Sequence, residues 1–202
     1  MPNNFLKIGI TGNIGSGKST FSSYLLSKGF KVFNADDIAK DILSNDKDVK
    51  KRIIQEFGEE TFTGNSLNKK YLADKIFSDP QKVLLINSIL HPKVFEKLEE
   101  QFNSINTNDK IVFVETALIY EAEMEVFFDF VVLISSELEN RFKRKEKSKR
   151  YTFEDFNNRE QNQIKEEEKS KRADFEFKNN GSLKELEQKA ELLLTMLKGI
   201  SN

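Results

Sequence analysis

Short apolar runs alternate with amphipathic stretches along this chain. Residues 5–10 are apolar and β-prone and read as a buried first strand. A glycine-rich turn follows at 12–17, and residues 19–27 then carry Phe21, Tyr24 and Leu25 at helical spacing, ending before Gly29. Residues 30–33 form a second short strand, closed by Asn34, Ala35, Asp36 and Asp37. Strand, helix and strand at this spacing predict a βαβ unit, with parallel strands, a right-handed crossover and the second strand beside the first. Residues 38–102 read as mostly helical. Val94, Leu98 and Phe102 recur every four residues, and His91-Pro92 marks the start of that helix, because proline fits a first turn. Residues 111–114, nearly all apolar, predict a third strand buried on both faces, and 130–134 a fourth. The stretch 135–172 is very polar. Residues 175–177 predict a last strand before a turn at 179–181, and Ser182 with Glu185 reads as a capping box. The final helix carries Leu183, Leu186, Ala190, Leu193 and Leu197 on one stripe. The class is therefore α/β, a parallel sheet of about five strands with two insertions at its carboxyl edge, where ligands bind in such sheets.

Composition narrows the picture. At 202 residues the chain is expected to form one domain with insertions. Lysine and arginine number 32 against 33 aspartates and glutamates, so no basic excess points to nucleic acid as a partner. Cysteine is absent, which excludes disulfides and thiolate metal sites and fits a cytoplasmic address. The N-terminus has no long apolar region, so no signal peptide is expected. No segment approaches the roughly 20 apolar residues of a membrane span. No obligate protein partner is evident.

The strongest chemical signal is Gly12-Asn13-Ile14-Gly15-Ser16-Gly17-Lys18-Ser19, a P-loop pattern with a strand before it and a helix after it. Glycines let the backbone curl so that successive N–H groups surround a polyphosphate, and the helix that follows turns its positive end to the same charge. Lys18 would supply a full charge to the β- and γ-phosphates, and the Ser19 hydroxyl a small oxygen ligand for Mg²⁺. A P-loop alone does not separate kinases from switch GTPases and motor ATPases. The guanine-specific Asn-Lys-x-Asp motif is missing, since Asn68-Lys69-Lys70-Tyr71 lacks the acid. Small size and the basic run at 143–150 favour a kinase of small molecules.

Asp36 and Asp37 follow the second strand, at the carboxyl edge expected to hold a γ-phosphate. A kinase needs a carboxylate there to orient the attacking hydroxyl and take its proton. Two readings stand for the pair: one member is catalytic, or both cap the helix that starts near Ile38.

Taken together these residues resemble the dephospho-CoA kinase family, over nearly the whole chain. The stretch from Ile8 through Thr20 is similar to the family's P-loop start. Asn34-Ala35-Asp36 resembles its Asp-Ala-Asp motif, with Asn34 in place of the first acid. Phe57-Gly58, the stretch 64–72 and Phe77 precede Leu90-His91-Pro92 as in the family, with Lys69 where arginine is usual. Glu115 to Glu121 lies at an acidic residue followed by Pro-Leu-Leu and glutamate, with Ala117 replacing the proline and Ile119 the second leucine. Arg141 and Arg144 match paired arginines, and Arg159, Gln163, Lys169, Ala173-Asp174 and Asn180-Gly181 follow at the family's spacing.

The resemblance implies transfer of the ATP γ-phosphoryl group to the 3′-hydroxyl of the dephospho-CoA ribose. It implies a core at about 1–38, 111–135 and 173–202, an acceptor-binding helical insertion at about 60–110, and a lid at about 138–172. Residues 12–20, including Thr20, would bind ATP, with Arg141 and Arg144 from the lid and Gly181 near the adenine. Asp36 would be the base, and Asp36, Lys69 and His91 would meet the acceptor. Glu115 either holds Mg²⁺ through water, as such strand-end acids do, or pairs with Lys18. His91, the only histidine, either contacts the acceptor or packs among its neighbours. A basic run is commonly a solvated face, but in a phosphotransferase a basic lid excludes water and stabilises the transferring charge; that role is read here for Arg141 and Arg144, with Arg144 and Lys18 catalytic beside Asp36 and the later lysines as surface. The rivals are a kinase of nucleosides or nucleoside monophosphates, and a P-loop regulator that switches without acting on a metabolite.

Overall fold

A computed structural model describes residues 5–64, 66–77, 79–105, 110–147 and 152–200. In chain order the elements are β1 (Leu6–Thr11), α1 (Lys18–Ser27), β2 (Lys31–Asn34), α2 (Ala35–Asn45), α3 (Lys47–Phe57), β3 (Phe62–Thr63), β4 (Ser66–Leu67), α4 (Lys69–Phe77) and α5 (Pro80–Asn103). They continue with β5 (Ile111–Glu115), β6 (Phe130–Ser135), α6 (Leu138–Lys147), α7 (Phe153–Gln161), α8 (Glu166–Arg172), β7 (Phe175–Lys178) and α9 (Leu183–Ile200). The chain divides into two compact units, one of residues 1–34 and 106–202, the other of Ala35–Ile105.

The first unit holds a parallel five-stranded sheet in the order β2-β5-β1-β6-β7. The α/β class and the five strands agree with the sequence pattern. The neighbour of β1 does not: β5 lies between β1 and β2. Burial explains this order. All five residues of β5 are buried, as a central strand requires, whereas β2 is only partly covered and exposes Lys31 at the sheet edge. Helices α1 and α9 share the core with Ile8, Ile10, Phe113, Val132 and Ile134 of the sheet. The Phe21 and Phe177 rings stack with centroids 5.8 Å apart. The buried stripe of α9 is Leu186, Ala190, Leu193, Leu194 and Leu197; Leu183 is 59% exposed because it heads the helix, before the stripe turns inward. The Ser182–Glu185 capping box is present in both directions.

The second unit packs α2, α3 and α4 around the 24-residue α5 and adds the small β3–β4 hairpin, which helical periodicity did not reveal. Helix α5 begins at Pro80, behind the Asp79 cap that accepts from the Gln81 N–H at 2.9 Å, and not at His91-Pro92. Pro92 sits inside it. Interior proline costs about 3 kcal/mol, but the buried stripe Ile86, Leu90, Val94, Leu98 and Phe102 runs unbroken across it, and its burial outweighs one lost hydrogen bond.

Candidate active site

Strand β1 delivers the chain to a loop whose backbone requires glycine at several points, Gly15 and Gly17 among them. Gly15 has φ 80°, and a Cβ there would lie 2.5 Å from the Arg141 carbonyl oxygen. Gly17 has φ 102°, and a Cβ there would run into the Asn179 side-chain amide. Gly17 also caps α1 without a side-chain bond, and the first turn of α1 carries no acid, so the positive helix end stays available to an anion.

The loop's carbonyls are held from outside. Arg141 Nη1 donates to the Ile14 carbonyl at 3.3 Å, Arg144 Nη1 to that of Gly15 at 3.2 Å, and Asn179 Nδ2 to that of Ser16 at 2.8 Å. In a trans peptide the N–H points opposite to the carbonyl. Tying back the Ile14 and Ser16 carbonyls therefore turns the Gly15 and Gly17 N–H groups the other way, into the concave side of the loop. Asn13 is buried and donates through Nδ2 to the Ile164 carbonyl at 3.3 Å.

Lys18 heads α1, followed by the exposed Ser19 and Thr20. Ser19 Oγ donates to Glu115 Oε1 at 2.5 Å. Glu115 ends β5 at 5% exposure, and its register partners are Ile10 on β1 and Asn34 on β2. A hydroxyl and a carboxylate held this close are two hard oxygen donors suited to Mg²⁺. Among the described residues no group of three or more His, Asp or Glu side chains gathers as a metal cage.

Arg141 is 3% exposed and committed to protein partners: Nε donates to the Ser136 carbonyl at 2.9 Å, and the fork meets Glu160 at 2.5 and 2.7 Å. Burial works to lower its pKa, but the Glu160 carboxylate more than compensates and leaves it raised. Arg144 is more open. Besides Gly15 it donates to Ser136 Oγ at 3.0 Å and to the Asn179 carbonyl at 2.5 Å; burial lowers its pKa, and a guanidinium remains protonated. Asn180 bonds Ser136 Oγ and the Glu137 N–H, and Gly181 leads into the α9 cap. Of the basic run, residues 148–150 lie outside the described residues. A cavity of ≈ 580 Å³ opens beside Ser136, Arg141 and Asn180; glutamates and the cations Arg141, Lys165 and Lys178 both line it, and no residue of the phosphate loop does.

The remaining candidates belong to the helical unit. Asp36 and Asp37 both lie in the first turn of α2. Asp36 is half-buried, whereas Asp37 is exposed and pairs with Lys40 at 2.5 Å. Lys69 is exposed at the start of α4. His91 is half-buried within α5, and burial lowers its pKa below 6.5.

A family model described as dephospho-CoA kinase matches residues 6–185, which takes in the whole sheet and every candidate site residue described in this subsection. The chain belongs to the dephospho-CoA kinase family. The dephospho-CoA kinase of Fusobacterium nucleatum is 38% identical over 141 residues, 68% of this chain and 70% of that protein. A crystal structure from Thermus thermophilus superposes with TM-score 0.82 at 34% identity, covering 96% of this chain and 98% of the other. The Campylobacter jejuni dephospho-CoA kinase superposes at 0.60 with 27% identity, covering 95% and 96%.

Where the dephospho-CoA kinase pattern has proline, this chain has Ala117, and hydrogen bonds hold that loop instead. Lys169, fully buried on α8, donates to the Ala117 carbonyl at 3.1 Å and pairs with Glu121 at 2.9 Å. Burial pushes the Lys169 ammonium below its ordinary pKa, and Glu121 works against that shift. Sequence reasoning gave no role to Asn179, Glu160 or the Glu121–Lys169 pair. Asn179 stood beside the Asn180-Gly181 motif, which was its one available signal; the other contacts join segments far apart in the chain.

Proposed function

We infer that this protein transfers the γ-phosphoryl group of ATP to the 3′-hydroxyl of dephospho-CoA, yielding ADP and coenzyme A in the last step of coenzyme A synthesis. The observation that carries the reading is the family match over residues 6–185. Residues 12–20 bind the triphosphate: the Gly15 and Gly17 N–H groups and the start of α1 receive the phosphate oxygens, and Lys18 places a full charge on the β- and γ-phosphates. Ser19 and Glu115, the latter directly or through water, would hold Mg²⁺, which supplies charge neutralisation at the same oxygens. Arg144 adds a cation beside the loop, while Arg141 acts on the nucleotide through the Ile14 carbonyl. Gly181 lies on the adenine side.

Asp36 orients the acceptor hydroxyl and takes its proton, with Lys69 and His91 as further acceptor contacts. Support for choosing Asp36 comes from the motif and from its half-buried position beside the exposed Asp37. The test is ADP release measured with dephospho-CoA, with a nucleoside, with a nucleoside monophosphate and with no acceptor. Release should require dephospho-CoA. Faster release with another acceptor, or equal release with none, would overturn the reading.

A further inference from the structure

Ile14 is buried at 7% exposure, and both of its backbone polar groups are held by side chains distant in sequence. Its carbonyl accepts from Arg141 of α6 at 3.3 Å. Its N–H donates to Gln163 Oε1 at 2.9 Å, from the link between α7 and α8. The two holding segments are joined to one another by the Arg141–Glu160 fork. A closed ring results: Ile14, Arg141, Glu160, the short chain to Gln163, and Ile14 again. The Gln163 N–H itself donates back to the Glu160 carbonyl at 3.3 Å.

The next residue explains why Gln163 is fixed. The Ile164 N–H donates to Glu121 Oε1 at 2.8 Å, and its carbonyl accepts from Asn13 Nδ2 at 3.3 Å. Buried Lys169 neutralises Glu121. Gln163 is only half-buried, so its side chain contributes little to the core, yet it satisfies a buried donor in the phosphate loop that otherwise bears an unmet hydrogen bond.

We propose that Gln163 is a positioning residue for ATP in this reaction: it anchors the Ile14 N–H in the Asn13–Ile14 peptide while Arg141 holds the carbonyl of the next peptide, so the two together fix the backbone torsions of Ile14 and with them the direction in which the Gly15 N–H points. The proposal rests on the loop being the ATP site. It concerns the nucleotide side only, so Gln163 acts on ATP and not on the acceptor.

The test uses the full-length protein and Gln163→Met, which keeps the side chain's shape and removes the acceptor, together with Gln163→Glu, which keeps the accepting oxygen. Three quantities are read: exchange of the Ile14 amide by NMR, the thermal midpoint without nucleotide, and kcat and KM for each substrate. For Gln163→Met the Ile14 amide should exchange faster and kcat/KM for ATP should fall about three- to tenfold, the worth of one hydrogen bond. The midpoint should fall by only about 2–6 °C, as one unmet buried donor costs, and the KM for dephospho-CoA should stay at the wild-type value. Gln163→Glu should keep the amide protected. Equal Ile14 exchange in all three proteins would overturn the proposal, as would an ATP kcat/KM within twofold of wild type or an equal loss on both substrates. A wild-type protein that binds no adenine nucleotide would overturn the functional reading itself, and that is seen before any variant is compared.

Discussion

Replacing Lys169 by methionine should destabilise the protein through a single buried ion pair. Lys169 has no solvent exposure, and its ammonium has two partners, Glu121 at 2.9 Å and the Ala117 carbonyl at 3.1 Å. Methionine conserves most of the volume, so the cavity left behind is small. The main loss is electrostatic, because Glu121 stays in a site only 10% exposed with its countercharge gone. Removing one partner of a buried pair costs about 3–5 kcal/mol. Glu121 still accepts from the Ile164 N–H, which places the loss at the lower end, about 3 kcal/mol. At 2–4 °C per kcal/mol for a chain of this size, the thermal midpoint should drop by about 6–12 °C. Thermal unfolding followed by circular dichroism measures it. Lys169→Met combined with Glu121→Gln removes both charges and should recover more than half of the loss. A single variant that melts within about 2 °C of wild type, or a double variant that recovers nothing, would refute the reasoning.

Three further outcomes are expected. Arg144→Ala frees the Gly15 and Asn179 carbonyls and should lower kcat/KM on the order of 10²-fold, with Arg144→Lys intermediate because it keeps the charge and loses the fork; steady-state kinetics that place both variants within twofold of wild type would contradict this. Asp36→Asn should slow single-turnover phosphorylation by about 10²-fold while ATP affinity, read by titration, changes little. Asp37→Asn should be mild, and a reversal of the two would move the base by one residue. Burial lowers the His91 pKa, so the folded state binds fewer protons than the unfolded chain at mildly acidic pH. The stability this ring contributes is full above about pH 6.5 and is lost as pH falls through the lower folded value. His91→Asn should therefore flatten the melting temperature between about pH 7 and pH 5.5, and an unchanged slope would show that the ring's titration is not coupled to folding.

What the sequence disclosed follows the range of the forces involved. The P-loop, the strand before it and the helix after it are local, so glycine placement and apolar periodicity reveal them directly. Strand order is not local: nothing in residues 30–33 says that β5 will come between β2 and β1, although the apolar run at 111–114 was already the mark of a central strand. The start of α5 was misplaced because Pro92 is a strong local signal, while the Ile86–Phe102 stripe that overrides it becomes decisive only when α2, α3 and α4 pack against it. The site residues show the same division. Ser19 and Glu115 were both visible as candidates, but their 2.5 Å approach depends on β5 lying beside β1. Arg141 stood out in the sequence only as one of two paired arginines, and its partner Glu160 and the Ile14 carbonyl are set by tertiary structure alone.

Dephospho-CoA kinase activity is tested most directly by following the phosphoryl group itself. ATP radiolabelled at its γ-phosphate is incubated with the protein and dephospho-CoA, and the acceptor is recovered and treated with a 3′-nucleotidase. One labelled phosphate per acceptor, released by that enzyme, is the expected result, and Lys18→Ala should abolish it. Label that stays in ATP, appears as free phosphate at the same rate with and without the acceptor, or joins the acceptor at another position would contradict the assignment.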